Sequence, residues 1–209
     1  MKNKNKKIFL NYEGDQWYKR NKLNLSIYNK KKDPVFIELK KLIKNKKVKP
    51  EILEIGSSTG ARLKEIKKEF KLKNIYAVDP SKKAIDIAKK NIKAYVSTAD
   101  KVHNIFKEKK FDIIIFGFCL YLCDPSDYNQ IIKNSTNLLK DKGWLIILDF
   151  YTKYNYSVKY KHDKNVTVFK INFLTLFKKK NFFLKKLKIF KIKDDLKKSK
   201  YAVYLFQKN

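Results

Sequence analysis

Two glycines stand four residues apart in the stretch "EILEIGSSTGARL", although the chain of 209 residues contains only five glycines. Gly56 and Gly60 enclose three hydroxyl side chains, Ser57, Ser58 and Thr59, and directly follow an apolar run. Glycine adopts positive φ angles and lets the backbone approach another group closely. A loop rich in hydroxyls and backbone N–H groups would suit the polar tail of a nucleoside ligand. This spacing therefore predicts a ligand-binding loop.

Carboxylates and an apolar segment follow the next apolar runs of the chain. Asp79 ends "NIYAVD", 23 residues after Gly56, and Asp100 follows "AYVSTA". Phe116–Phe118 ends "FDIIIFGF", and Asp149 lies near the end of "WLIILDF". Because ligands of open parallel sheets bind at the carboxyl ends of the strands, we expect these residues to share one site. In such a site a carboxylate could accept hydrogen bonds from a ribose diol.

Each of these features also has a purely structural interpretation. The glycine loop can be an ordinary turn from strand to helix, Asp79 can cap the helix after it, and Asp100 can be a loop carboxylate. A dinucleotide site would carry the pattern G-x-G-x-x-G, whereas this loop reads G-S-S-T-G. The missing glycine weakens a nicotinamide dinucleotide as the ligand without excluding it.

The chain alternates short apolar runs with helical patterns, as in a parallel sheet with crossover helices. Strands are predicted at "EILEIG", "NIYAVD", "AYVSTA", "FDIIIFGF" and "WLIILDF", and helices at "PVFIELKKLIKN", "ARLKEIKKEF", "SKKAIDIAKKNI", "DYNQIIKNSTNLL" and "INFLTLFKKK". A turn is predicted at "KDKG", and an irregular segment that covers the substrate at "YTKYNYSVKYKHDKN". The runs "FFLKKLKIFKIK" and "YAVYLFQ" predict a final antiparallel hairpin that closes one sheet edge.

The net charge of +31 usually indicates nucleic acid or an anionic surface as the partner. Only Arg20 and Arg62 among the 51 basic residues are arginine, however, whereas phosphate and base recognition tends to use the arginine fork. The abundance of lysine, asparagine and isoleucine is what an AT-rich coding sequence would give. We therefore favour compositional bias over selected nucleic-acid binding.

Length and hydrophobic content predict one folded domain, because 209 residues with 44% hydrophobic side chains can bury a core. Cys119 and Cys123 lie in the most apolar segment and, like Tyr121, are expected to pack in the core as in a reducing compartment. The apolar run Ile8–Leu10 is too short for an export signal, and Ile113–Cys123 is too short to span a bilayer. We therefore expect a cytoplasmic protein without a membrane or metal partner.

Five segments in order, "LEIGSSTG", "IYAVDPSKKAIDIAKKN", "STAD", "FDIIIFGFCLYLCD" and "DKGWLIILDF", resemble the consecutive motifs of class I S-adenosylmethionine-dependent methyltransferases. The resemblance covers residues 51–150 and implies an α/β fold, a Rossmann-like three-layer sandwich with a seven-stranded, mainly parallel sheet. It further implies a single methyltransferase domain over residues 1–209. Within it, residues 1–50 would form an N-terminal helical cap, 51–150 the cofactor-binding core, and 151–209 a substrate-side insertion with the closing hairpin.

The resemblance also implies a cofactor, S-adenosylmethionine, with S-adenosylhomocysteine as its product, and assigns the residues that bind it. Glu54 and the glycine loop would line the methionine part, Asp79 would hold the ribose hydroxyls, and Asp100 would approach the adenine amino group. The middle glycine of the family is Ser58 here. The segment "YEGDQWYKRN" resembles a covering segment of some members, in which an arginine pairs with the methionine carboxylate. The implied cofactor residues are Arg20, Glu54, Gly56, Ser57, Ser58, Gly60, Asp79, Pro80, Asp100, Lys101, Phe116, Gly117 and Phe118.

The methyl acceptor is less defined by the sequence. Enzymes of this family that modify base amino groups carry Asn or Asp, two prolines and an aromatic after the fourth strand, whereas this chain has "FGFC". A small molecule, such as an anionic sugar or metabolite intermediate, is therefore the favoured acceptor. Ribose-directed methylation of RNA, a non-catalytic cofactor-binding protein and a nicotinamide-dependent enzyme remain alternatives. His162 is the candidate general base for a hydroxyl acceptor, although a surface loop histidine is an equally plain interpretation.

Overall fold

The computed structural model describes residues 4–44, 48–178, 181–191 and 199–209. Its strands are β1 (Ile52–Ile55), β2 (Ile75–Asp79), β3 (Lys93–Val96), β4 (Phe111–Gly117), β5 (Leu139–Tyr151), β6 (Tyr156–Tyr160), β7 (Asp163–Lys170), β8 (Phe182–Lys191) and β9 (Lys200–Lys208). Its helices are α1 (Lys4–Ile8), α2 (Gly14–Ser26), α3 (Pro34–Lys44), α4 (Ala61–Phe70), α5 (Lys82–Ala88), α6 (Val102–Phe106), α7 (Tyr128–Leu138) and α8 (Phe173–Lys178). A π-helical turn, Phe9–Glu13, joins α1 to α2.

Seven strands form one sheet in the order β3-β2-β1-β4-β5-β9-β8. The first five strands in this order run parallel, whereas β9 pairs antiparallel with both β5 and β8. This arrangement confirms the predicted parallel sheet with a closing C-terminal hairpin. The connections reverse direction between β1 and β4, so a ligand crevice is expected at the carboxyl ends of these two neighbours.

Helices cover both faces of the sheet because its central strands are apolar on both sides. All four residues of β1 are buried. Helices α3, α4 and α5 contribute to one apolar cluster, and α6, α7 and α8 contribute to the other. The fold is therefore the three-layer sandwich that the sequence predicted. In the part of the chain that is described, no helix is both long and apolar enough to cross a membrane.

Two segments differ from the sequence-based predictions. The predicted turn at residues 140–143 lies within β5, which bulges there because its register against β4 shifts between Phe111 and Ile113. The predicted irregular segment after β5 is mostly a separate antiparallel hairpin of β6 and β7. Its β-branched residues Val166 and Val168 are buried, which explains why this lysine-rich stretch is a sheet. The polar segment expected between β8 and β9 lies largely outside the described residues.

The N-terminal helix α1 is held to the core through Asn5, whose side chain is 1% exposed. Its amide nitrogen donates to the carbonyls of Leu122 at 3.0 Å and of Thr167 at 2.6 Å. Its amide oxygen accepts the Thr167 N–H at 3.1 Å, and its backbone N–H donates to Asp124. Asn5 therefore ties α1 to the loop after β4 and to strand β7 at once.

Replacing Asn5 by alanine removes three side-chain hydrogen bonds and leaves partly buried backbone groups of Leu122 and Thr167 without these partners. We expect the free energy of unfolding to fall by about 2 kcal/mol, because an unsatisfied buried polar group costs roughly 1 to 3 kcal/mol. Urea unfolding measures the loss. Asn11→Ala, at an exposed position in the adjoining turn, serves as the control. Equal stability of the two variants would contradict this role of Asn5.

Candidate functional site

A cavity of about 310 Å³ opens at the carboxyl ends of the central strands. Seven of the residues predicted from the sequence line it: Gly56, Ser58, Asp79, Pro80, Asp100, Gly117 and Phe118. The N-terminal segment supplies Lys6, Phe9 and Trp17 to the same cavity. The glycine loop after β1, the two carboxylates and Phe118 therefore face one cavity, as the strand order requires.

The loop after β1 has the left-handed backbone that glycine favours. Gly56 has φ +73° and Gly60 has φ +68°, and a Cβ on Gly56 would lie 2.4 Å from the Cβ of Cys119. A larger residue at position 56 would therefore need both a strained backbone and a displaced β4 loop. Ser58 also has a positive φ of 48°, at the position where the family has glycine. The serine thus adopts a left-handed backbone conformation at this position.

Asp79 is held by two backbone N–H groups at the end of β2. Its two carboxylate oxygens accept one bond each, from Ser58 N–H at 2.8 Å and from Ser81 N–H at 2.9 Å. Burial raises the pKa of Asp79 to about 6, although these two bonds oppose the rise. Each carboxylate oxygen keeps lone-pair capacity for a second donor. Asp79 can therefore accept hydrogen bonds from two adjacent hydroxyls of a ligand.

Asp100 forms an ion pair with Lys6, a contact that the sequence did not indicate. The Lys6 Nζ lies 2.6 Å from Asp100 Oδ2 and 3.1 Å from Asp127 Oδ2. Thr98 Oγ1 also donates to Asp100 at 2.6 Å. The hydrogen bonds and charges of the two carboxylates raise the pKa of Lys6 against the opposing effect of its burial. The amino terminus is thus fastened to the end of the cavity where the adenine was predicted.

Glu54 lies behind the cavity wall, in contact with Arg62. The Arg62 guanidinium bonds Glu54 Oε1 through Nη1, and its Nε lies 2.7 Å from Asp33 Oδ2. Burial raises the pKa of Glu54 to about 7, although Arg62 favours the charged form. A Cβ on Gly117 would lie 2.6 Å from Glu54 Oε1, so glycine is the residue that leaves room for this carboxylate. Position 117 therefore lets Glu54 approach the cavity.

Two buried polar atoms at this site have no hydrogen-bond partner, Glu54 Oε2 and Ser58 Oγ. The only other such side-chain atom among the described residues is His103 Nδ1. Buried polar groups are usually satisfied, so unpartnered atoms call for a ligand or another explanation. A ligand with an ammonium group would satisfy the Glu54 carboxylate and the Ser58 hydroxyl. A ribose diol on the same ligand would donate to the Asp79 oxygens. The acceptor groups in the cavity lining and directly behind it therefore fit S-adenosylmethionine.

The other predicted residues lie outside the cavity lining, and their cofactor roles stay predictions. Arg20 is paired with Glu13 and bonds Tyr160 at 3.3 Å, so its guanidinium is already engaged. Lys101 is exposed, and Phe116 is fully buried in the core. Ser57 is buried, and its hydroxyl donates to the Val78 carbonyl. Gly60 begins α4, where a Cβ would meet Ile92.

His162 lies exposed in the turn between β6 and β7, in contact with the ring of Tyr160. Slight desolvation, Arg20 and Lys161 lower the pKa of His162, which favours the neutral form that a base needs. It does not line the cavity. Its role as a general base therefore stays a prediction.

Cys119 and Cys123 pack against the apolar core, as predicted, and they also line the cavity. Trp17 lies in the segment "YEGDQWYKRN", which the resemblance assigns to the cover of the cofactor. Lys6 and Phe9 are lining residues that the sequence did not indicate. Lys6 bonds Asp100, 94 residues away, and no local pattern signals such a contact.

Asp149 is fully buried near the end of β5, beside the cavity loop. Its carboxylate accepts the N–H of Tyr121 at 3.2 Å and of Phe150 at 2.7 Å. Burial raises the pKa of Asp149 to about 7 against the opposing effect of these bonds. The carboxyl group therefore organises the turn after β4 and is expected to take up a proton on folding.

We expect the free energy of unfolding to depend on pH through Asp149. Its folded-state pKa of about 7 exceeds the unfolded value of about 3.9, so the folded chain binds the extra proton between these values. This contribution to stability is present at low pH and is lost as pH rises towards 7. Asp149→Asn should flatten the profile in this window by at most about 1.4 kcal/mol per pH unit. Urea unfolding from pH 5 to 8 measures the slopes, and parallel profiles would contradict the assignment.

The fold and the cavity together define an α/β protein of the Rossmann type with a nucleoside site at its strand ends. Residues 52–143 match a methyltransferase domain family. These residues accordingly form a methyltransferase domain, and its fold is that of class I S-adenosylmethionine-dependent methyltransferases.

Curated relatives differ in their acceptors. The chain is 33% identical over 148 residues to a tRNA N(3)-methylcytidine methyltransferase of Schizosaccharomyces pombe, covering 65% of this chain and 48% of that protein. It is 31% identical over 106 residues to a demethylmenaquinone methyltransferase of Thermotoga maritima, covering 49% of this chain and 44% of that protein. The chain thus spans about half the length of these relatives or less.

Solved structures share the fold at low sequence identity. An S-adenosylmethionine-dependent methyltransferase from Clostridium acetobutylicum matches with a TM-score of 0.65 and 16% identity, over 95% of this chain and all of that one. A 1,6-didemethyltoxoflavin-N1-methyltransferase from Burkholderia thailandensis, in complex with 1,6-didemethyltoxoflavin and S-adenosylhomocysteine, matches with a TM-score of 0.62 and 14% identity. That match covers 77% of this chain and 71% of the other.

Proposed function

We propose that the protein transfers a methyl group from S-adenosylmethionine to a small-molecule acceptor, such as an anionic sugar or metabolite intermediate. The observation that carries this proposal is the cavity itself, in which Asp79, Ser58 and Asp100 offer polar groups beside the Phe118 shelf. Phe9 and Trp17 also line the cavity, and its volume suits a cofactor with a compact acceptor.

When bound, the cofactor supplies a methyl group that is activated by the positive charge of its sulfonium. The side chains then have to bind and orient the cofactor. Asp79 accepts hydrogen bonds from its ribose, and the Glu54 carboxylate attracts its ammonium group. Phe118 presents an apolar surface that excludes water next to the acceptor. Such positioning can contribute about 7 to 11 kcal/mol to catalysis. A general base is needed only for an acceptor that carries a proton at the working pH, and His162 is the candidate for that step.

RNA is the second candidate acceptor. It is favoured by the similarity to a tRNA methyltransferase and by the net charge of +31. A positively charged surface attracts the phosphate backbone irrespective of base sequence. The size of the cavity, about 310 Å³, is the feature that favours a small molecule over RNA.

The two candidates are separated by incubating the protein with S-adenosylmethionine labelled on its methyl group. One reaction contains a metabolite extract and the other contains total transfer RNA. We expect label in the metabolite fraction and none in the RNA. Label in RNA alone would replace the proposal with the second candidate. Cofactor binding without label in either fraction would support a non-catalytic protein, and binding of NAD instead would contradict the family assignment of the site.

A further inference from the structure

A second cavity, of about 320 Å³, lies between the end of the main sheet and the base of the β6–β7 hairpin. We call it the basic cavity. Its lining includes three lysines, Lys153, Lys170 and Lys200, and two tyrosines, Tyr151 and Tyr156. Thr152, Val158 and Ser199 complete it, and none of these residues is acidic. Within the described part of the chain, the basic cavity therefore concentrates positive charge in a concave surface.

At this cavity, strand pairing places a tyrosine opposite a lysine in each of the two sheets. Tyr151, the last residue of β5, pairs with Lys200, the first residue of β9. Tyr156, the first residue of β6, pairs with Lys170, the last residue of β7. The five-residue step from Tyr151 to Tyr156 joins the two pairs and carries Lys153. The chain thus builds the basic cavity from regular sheet ends, which fixes the backbone under four of its side chains.

Lys170 is the most constrained of the three lysines. Its Nζ donates to Ser199 Oγ at 3.2 Å and lies 4.4 Å from the ring centre of Phe150 and 5.5 Å from that of Tyr156. Two aromatic faces therefore hold the ammonium group in place. An ammonium group has three N–H donors, so Lys170 keeps capacity for an anionic ligand.

Aromatic rings lie between the basic cavity and the cofactor cavity. Phe118 lines the cofactor cavity, and its ring centre lies 5.1 Å from that of Phe150. The ring centre of Phe150 in turn lies 4.4 Å from Lys170 Nζ. Tyr121 packs against both phenylalanines, with ring centres 5.3 and 5.1 Å away. The two cavities are therefore neighbours across these rings, and an acceptor that occupies both has to pass around them.

We propose that the basic cavity binds a phosphoryl group of the methyl acceptor. This inference rests on the proposed function, because it names the chemistry of the same acceptor. Among the residues that the structure describes, three lysines and no carboxylate line the basic cavity. Their charge matches that of a phosphate, and charge-assisted hydrogen bonds to a phosphate are strong. The phosphate can belong to a small phosphomonoester or to an RNA backbone, and the experiment separates these sources.

The test measures binding of inorganic phosphate, ribose 5-phosphate and a short single-stranded RNA by titration calorimetry at constant ionic strength. The double variant Lys170→Gln/Lys200→Gln should raise the dissociation constant of the phosphate-bearing ligand about tenfold or more, because two charge-assisted hydrogen bonds are lost. The control, Lys64→Gln/Lys73→Gln, removes the same charge at exposed positions on α4 and after it. Lys153→Gln, at an exposed loop position, provides a variant in which folding is not at issue.

Equal loss in the control, or no phosphate-dependent binding by the unaltered protein, would overturn the proposal. Lysine-dependent binding of ribose 5-phosphate alone assigns the site to a small molecule, and such binding of RNA alone assigns it to nucleic acid. Affinity for S-adenosylhomocysteine is measured in parallel and should be unchanged in every variant. If the unaltered protein binds phosphate but not S-adenosylhomocysteine, the proposed function fails while the anion site stands.

Discussion

Replacing Asp79 by alanine is expected to weaken the binding of S-adenosylhomocysteine by about a hundredfold. Its carboxylate is the group placed to accept both ribose hydroxyls, and hydrogen bonds to a charged group contribute roughly 1.5 to 3 kcal/mol each. The substitution also releases the N–H groups of Ser58 and Ser81, which shape the loop around the ligand. Titration calorimetry at pH 8, where Asp79 is ionised, measures the change.

Two further variants separate the ligand contact from the loop. Asp79→Asn keeps an acceptor oxygen but no charge, and we expect an intermediate loss of affinity. Asp86→Ala removes an exposed carboxylate on α5, close in sequence, and should leave the affinity unchanged. An Asp79→Ala protein that unfolds at the usual temperature and binds S-adenosylhomocysteine normally would remove Asp79 from the site.

Replacing Arg62 by leucine is expected to lower the free energy of unfolding by about 3 to 5 kcal/mol. Removal of one partner from a buried ion pair leaves an uncompensated charge, and Arg62 has two such partners, Glu54 and Asp33. The side chains of these carboxylates are only 2% and 7% exposed, so water cannot replace the guanidinium. Urea unfolding at neutral pH measures the loss.

The size of this loss should depend on pH and on Glu54. At pH 5 Glu54 is protonated, since its pKa is about 7 even beside Arg62, so the variant should lose less stability than at pH 8. The double variant Arg62→Leu/Glu54→Gln should recover part of the loss by removing one stranded charge. A loss that is the same at both pH values and in the double variant would contradict the buried charge network.

The parallel sheet could be predicted from the sequence because its strands are continuous apolar runs at regular spacing. The sequence also sufficed for the half of the site that follows strand ends, such as Gly56, Asp79 and Phe118, since sheet topology brings those positions together. It did not suffice for the side chains whose position depends on distant contacts. Lys6 reaches Asp100 across 94 residues, and no periodic pattern encodes that pairing.

The hairpin of β6 and β7 shows a different limit. Its strands, "YSVKY" and "DKNVTVFK", mix charged and polar residues with apolar ones, so the period of two that defines a strand is hard to see in the sequence. Arg20 shows a third limit. Its type suits a carboxylate ligand, but the buried carboxylate of Glu13 lies within the same helical region and engages the guanidinium first.

The attachment of the first helix couples two parts of the molecule. Asn5 bonds strand β7 as well as the loop after β4, and Lys6 bonds Asp100 at the cavity. Any movement of α1 away from the cavity therefore breaks its contacts with Asp100 and with the hairpin that carries Lys170 together.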